Sequence, residues 1–184
     1  MTRNLALFIA LIALLAEPAP AQRHALTSTQ GSTSITYHLH HPLHDVDAVS
    51  KTGMLRIDCD PATRDITAVE AEVDVTSFDS GNSNRDSHAM EVVDALTYPE
   101  VTFLSTSVSR QGDSLTVAGK LTFHGITRDV TAKGRAEWGG GRLSLGAHFN
   151  ISLTEFKVER PSLLMMPVAD SLRFTLSAEF NLTQ

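Results

Sequence analysis

The densest polar chemistry in this chain of 184 residues lies in one run, Phe78-Asp79-Ser80-Gly81-Asn82-Ser83-Asn84-Arg85-Asp86-Ser87-His88. Asp79, Asn84, Arg85, Asp86 and His88 gather carboxylates, a guanidinium and an imidazole at one place in the chain. Arg85 offers a planar fork suited to a phosphate, and a helix starting here would add free backbone N–H groups. The same residues suit a purely structural task, with Asn84 or Asp86 placed to cap the first turn and Arg85 and Asp86 holding the helix to the sheet through an ion pair and a cap. A second cluster, His38, His40, His41 and His44, holds imidazoles at strand and loop spacing. His38 and His40 stand at i, i+2 on one strand face, where His44 could join them. No carboxylate spacing or cysteine pair completes a metal signature, so a metal-dependent enzyme or metal-binding protein built on segment 38–44 is the second reading. Neither a Gly-x-Ser-x-Gly elbow nor a His-Glu-x-x-His helix is present; the first reading is a binding protein with no catalytic residue, no metal and no cofactor.

These groups must be positioned by strands, because the dominant period from Ser34 onward is two. Ile35, Tyr37, Leu39 and His41 alternate with polar residues; so do Leu55, Ile57 and Cys59, then Val69, Ala71, Val73 and Val75. Residues 85–96 carry Met90, Val93 and Leu96 at helical spacing and end at Tyr98-Pro99. Five further runs follow, led by Val101, Leu115, Val130, Leu143 and Leu172. The first two strands are expected to pair through a turn-prone segment, Pro42 to Ser50. The count is eight strands, with one short helix between the third and the fourth. An all-β, eight-stranded antiparallel barrel follows, since closure removes both exposed edges and an exposed apolar face.

Parity puts Leu39, His41, Phe103, Phe123, Ala132, Ala136, Trp138, Phe149 and Phe174 on the inner face. A barrel of this size is either filled by its own side chains or holds one slim ligand. Ala and Gly beside Phe and Trp allow both outcomes, and periodicity does not choose between them.

A basic start at Arg3, an apolar run from Leu5 to Ala16 and the small-x-small site Ala19-Pro20-Ala21 form an export signal over 1–21. The run is shorter than the ~20 residues that span a bilayer. Residues 22–33 are polar, without a period, and are expected to be a flexible leader to a single domain, 34–184. The net charge of −6 makes nucleic acid a poor partner. Cys59, the one cysteine, shares parity with Leu55 and Ile57 and is expected to be a buried apolar residue.

Two of these segments carry a resemblance. The run from Phe78 to Met90, followed by Tyr98-Pro99-Glu100-Val101-Thr102-Phe103, is similar to the central signature of the YceI-like family. Val117-Ala118-Gly119-Lys120-Leu121-Thr122-Phe123-His124-Gly125-Ile126-Thr127-Arg128 resembles that family's strand, His-Gly turn and next strand. The resemblance implies a lipocalin-like periplasmic barrel that carries a long isoprenoid, a polyprenyl phosphate or an isoprenoid quinone, for transport, storage or envelope stress response. It favours the open channel over the filled core. Carried over by position, it places ligand contacts at Arg85, Asp86 and His88, and matches the family's His after the first strand to His41. The segments His40-His41-Pro42-Leu43-His44, Phe156-Lys157-Val158-Glu159-Arg160-Pro161 and Met165-Met166-Pro167 depart from the family's pattern. Expected partners are the isoprenoid lipid itself, with transient membrane contact and a homodimer left open.

Overall fold

The computed structural model describes residues 23–29 and 31–182; the expected export signal, 1–21, lies outside them. One antiparallel sheet of ten strands makes up almost all of the fold. In chain order the strands are β1 (His24–Thr27), β2 (Ser34–His41), β3 (His44–Ser50), β4 (Met54–Asp60) and β5 (Asp65–Asp74). After a single 3-10 turn come α1 (Ser83–Val92), β6 (Glu100–Gln111), β7 (Ser114–Phe123), β8 (Ile126–Gly139) and β9 (Arg142–Ser152). A small hairpin, β10 (Ser162–Leu163) and β11 (Met166–Pro167), precedes the last strand, β12 (Ser171–Asn181). The order across the sheet is β1-β4-β5-β6-β7-β8-β9-β12-β2-β3.

The sheet is strongly curled into a half-barrel, and its edge strands β1 and β3 do not pair with each other. Register shifts at Asp58/Cys59 and Ser105/Ser107 mark bulges that bend the long strands. Two-residue turns with both central φ positive, His124-Gly125 and Gly140-Gly141, join β7 to β8 and β8 to β9. This is the hairpin turn whose twist matches the strands it connects.

Five expectations change. The sheet has ten strands where eight were expected, because β1 and β3 join it, and it curls into a half-barrel with its edges apart where a closed barrel was expected. The first two expected strands do not pair: β2 lies between β12 and β3, and β4 between β1 and β5. The segment read as a turn contains β3, whose inward residues Val46, Ala48 and Ser50 are buried. Its alternation is real, but small and polar residues carry it. The flexible leader contains β1, paired along β4 with Leu26 buried opposite Ile57. Ser28 accepts from Leu55 N–H (3.2 Å) and Thr29 N–H donates to the Glu179 carbonyl (2.8 Å), so the leader crosses one end of the sheet and is tied to it.

The buried residues form two clusters. One, at the leader's end, contains Leu26, Ile57, Cys59, Ala136, Leu143, Ala178 and Phe180. The other, at the far end, contains Leu121, Phe123, Leu153, Phe156, Val158, Val168 and Leu172. Cys59 is fully buried in the first cluster, and burial followed by the Asp58 and Asp60 charges pushes its thiol pKa up. A buried cysteine of low reactivity is what its parity with Leu55 implied.

Candidate functional site

Between the two clusters runs a bore of about 240 Å³, walled by β2, β4 to β9 and β12 on one side and by 75–93 on the other. Its lining on β7 extends from Leu115 to Phe123, roughly 26 Å of strand at about 3.3 Å per residue, and along β9 from Leu145 to Ile151, with Leu153 just beyond the strand's end. A slim, extended molecule fits that shape.

Side-chain placement explains why the bore is open. Phe149 and Phe174 sit directly opposite each other on β9 and β12 and stack nearly parallel, centroids 5.1 Å apart. Phe103 lies over Gly119, where an added Cβ would come within 2.5 Å of the ring. All three rings are held against a neighbour on an adjoining strand.

The helix that covers the opening is fastened by the polar run. Asn82 is the cap, its Oδ1 accepting from Asn84 N–H (3.1 Å) and Arg85 N–H (3.2 Å). This corrects the expected cap at Asn84 or Asp86. Arg85 and Asp86 do not pair with each other; both clasp Ser80. The Arg85 guanidinium donates to the Ser80 Oγ (2.8 Å) and carbonyl (2.7 Å). The Asp86 carboxylate accepts from Ser80 N–H (3.2 Å) and from the Ser80 hydroxyl. That clasp ties the first turn of α1 to the loop before it, and Asp79 and Val49 exchange backbone hydrogen bonds to hold the loop against β3.

The sequence-predicted residues therefore separate. Leu39, Phe103, Phe123, Ala132, Phe149, Phe174 and Asp86 line the bore. Four do not. Arg85 is spent on Ser80. His88 points outward, its side chain 64 % exposed, with Glu91 at 3.8 Å. Trp138 packs on the sealed cluster, below the bore, with its Nε1 unpartnered. His41 is inward and buried but lies beyond the lining, where its Nδ1 accepts from Leu43 N–H (3.1 Å) and its Nε2–H donates to the Met166 carbonyl (2.9 Å). Lining residues outside the expected set include Tyr37, Phe78, Ala89, Met90 and Val93. Tyr37 shared the inward parity of Leu39, and Met90 and Val93 the helical spacing, so the signal was present.

The lining is almost wholly apolar; Tyr37 and Asp86 are its half-buried polar residues, while Glu72, Thr102 and Glu159 border it as exposed residues. Burial raises the Tyr37 hydroxyl pKa, the Asp86 charge raises it further and Arg85 partly offsets this, so the hydroxyl stays a neutral donor. The lining contains no Lys or Arg.

The histidine segment is dispersed. His38 holds Asp47 (2.8 Å) and Thr175 (3.0 Å) on the outer sheet face, His40 holds Asp45 (2.5 Å), and His44 lies beside His41 with ring centroids 5.3 Å apart. Among the described residues no three His, Cys, Asp or Glu side chains converge on a common point. Asp47, His38 and Thr175 form a line reminiscent of a catalytic triad, but on exposed strand surface away from the bore.

A strongly curled antiparallel sheet around a narrow apolar bore defines the class by fold: a lipocalin-like half-barrel whose interior has room for a slim molecule. The chain belongs to the YceI-like family, whose domain model matches residues 27–180. Protein YceI of Escherichia coli O157:H7 is 34% identical over 99 residues, covering 50% of this chain and 52% of that protein. Protein YceI of Salmonella arizonae is 30% identical over 119 residues, covering 60% and 61%. The matched region thus spans about half to three fifths of these relatives. Among solved structures, Burkholderia cenocepacia BcnA superposes with a TM-score of 0.75 at 22% identity, covering 83% of this chain and 98% of BcnA. A polyisoprenoid binding domain from Saccharophagus degradans, implicated in plant cell wall breakdown, superposes with a TM-score of 0.65 at 10% identity, covering 85% and 97%. These likenesses show the fold.

Proposed function

We propose that this chain is a binding protein, not an enzyme, that holds a long isoprenoid in the bore for transport or storage after export to the periplasm. The observation that carries the reading is a narrow bore with an apolar wall that runs most of the length of β7 and β9. Family membership and the binding named for the Saccharophagus degradans domain support the ligand class. The apolar run Leu5 to Ala16 with its small-x-small site supports export. Burial at about 0.8 kcal/mol per CH₂ gives a few kcal/mol per isoprene unit before ordering costs, so the chain alone supplies affinity.

The lining favours a neutral head over a phosphate. Of the acidic residues at the bore only Asp86 is half-buried, Glu72 and Glu159 being exposed, and Arg85 is already engaged with Ser80. A phosphate beside the Asp86 carboxylate, with no free cation near it, is repelled where water is excluded. A quinone or prenol carbonyl or hydroxyl meets the Tyr37 O–H instead. Organic extraction of the purified protein followed by mass spectrometry tests this. A prenyl quinone or prenol is expected; an empty protein that takes up neither would overturn the reading, and polyprenyl phosphate bound as tightly as quinone would overturn the choice of head.

A further inference from the structure

Six large apolar side chains are strongly exposed among the described residues: Leu43, Leu96, Leu104, Leu163, Leu164 and Met165. Four of them, Leu43 and the three at the β10–β11 hairpin, are brought together by His41, which binds Leu43 N–H on one side and the Met166 carbonyl on the other. Leu96 belongs to the same end. It lies two residues before Tyr98, whose ring packs on His124, and His124 Nδ1–H donates to the Phe156 carbonyl in the segment that leads to the hairpin. Only Leu104 lies elsewhere, on β6.

The hairpin tip is unusual in a way the rest of the molecule measures. Leu164 (φ 51°) and Met165 (φ 65°) occupy the same two-residue turn as His124-Gly125 and Gly140-Gly141. Those turns use glycine, which adopts positive φ without a steric penalty. Here two long apolar residues adopt it instead, and they stand 72% and 96% exposed. Backbone strain and water-exposed apolar surface coincide at one tip, a combination that persists where a partner covers it.

We infer that the β10–β11 tip, with Leu43 beside it, is a membrane-docking point that inserts into a zwitterionic bilayer surface at the end of the bore lined by Glu159 and Pro161. Three observations select a bilayer. The tip is a convex two-residue turn of a few side chains, well short of the roughly 800 Å² per partner of a specific protein interface. Residues 161–168, Pro-Ser-Leu-Leu-Met-Met-Pro-Val, carry no charge, so insertion is apolar and the chain's net charge of −6 disfavours anionic lipid. Glu159 and Pro161 line the bore, only a few residues from Leu164. Docking by the tip therefore brings the bore's lining to the surface from which an apolar cargo would be drawn. That last point rests on the isoprenoid reading; the first two do not.

The test uses the chain beginning at Gln22, which keeps every described element, with phosphatidylcholine–phosphatidylethanolamine vesicles. Sedimentation with vesicles is compared between the parent and Leu164→Asn/Met165→Gly, the residue pair this turn prefers. The variant is expected to lose at least tenfold in vesicle partitioning while its Tm stays equal or rises by a few degrees, and Leu104→Ser is expected to partition like the parent. A parent that does not partition overturns the inference, as does a variant that partitions equally. A parent dimer in light scattering that the variant abolishes would also overturn it, by making a second copy the occupant. Cargo is read separately by extraction: a docking parent with no isoprenoid removes the ligand reading and leaves the docking standing.

Discussion

At the leader's end of the curled sheet, Ala136, Leu143, Ala178 and Phe180 are buried in one cluster and none of them lines the bore; further along, Phe103, Phe149 and Phe174 do. The two regions draw on the same mix of small and large residues. What differs is where each large group lies relative to its neighbours in the sheet. Leu143 stands between Phe180 and Trp138 in one cross-strand row, and in the next Ala136 and Ala178 flank Leu145 from either side, so a row of large groups is backed by a row in which small ones make room. Phe149 and Phe174 are each other's cross-strand neighbours and stack along the wall, and Phe103 lies over a glycine. Register, more than composition, decides whether an apolar interior is a plug or a passage.

The contrast can be broken by exchanging the consequences of similar substitutions. Phe180→Ala in the sealed layer is expected to cost about 3–5 kcal/mol in urea unfolding. Phe174→Ala, which enlarges a space already open, should cost well under half of that. Equal losses would mean the bore is packed as tightly as the plug. Ala136→Trp, at a fully enclosed site, is expected to destabilise by about 1–3 kcal/mol or more through overpacking. Ala132→Trp, on the same strand but facing the bore, should instead leave stability nearly intact and empty the protein of extractable lipid.

Smaller effects sharpen the open end. Asn82→Ala removes the acceptor for two N–H groups at the start of α1 and should cost about 1 kcal/mol, read as a lower urea midpoint. Asp170 holds the turn after β9 by accepting from the Ser152 hydroxyl (2.5 Å), the Thr154 hydroxyl (2.5 Å) and Thr154 N–H (2.9 Å). Those bonds, first Ser152 and then Thr154, hold its carboxyl below its ordinary value of 3.8. A carboxyl lowered in the folded state lends stability in full above 3.8 and loses it as pH falls through the folded value. Asp170→Asn should therefore flatten the acid limb of a stability–pH curve below that point and leave the curve's shape above it unchanged.

The sequence made the long strands plain, because Leu, Val and Phe at period two in β7, β9 and β12 carry a strong signal. It hid β1, where Leu26 is the lone large apolar residue in four, and β3, where Val46, Ala48 and Ser50 are small and Asp45 and Asp47 look like loop. Inward parity correctly named most of the bore's wall but could not tell how far along the barrel a residue sits. Trp138 and Ala136 share the parity of Ala132 yet belong to the plug. The polar run was rightly picked out as the start of the helix, while the division of labour within it was not legible: Asn82 caps, and Arg85 and Asp86 take the same serine. Spacing announces a helix start, but the partner of a long side chain depends on how the preceding loop is laid down.

The sheet's two edges never pair, and α1 and its preceding loop cover the gap. Between that loop and β3, two reciprocal backbone bonds, Val49 N–H to Asp79 (2.9 Å) and Asp79 N–H to Val49 (3.1 Å), take the place of a ladder. Two bonds are fewer than the ladders of β7 or β9 hold, so the Val49 and Asp79 amides are expected to take up deuterium before the amides of those strands, and equal protection would show the seam to be as firm as the sheet.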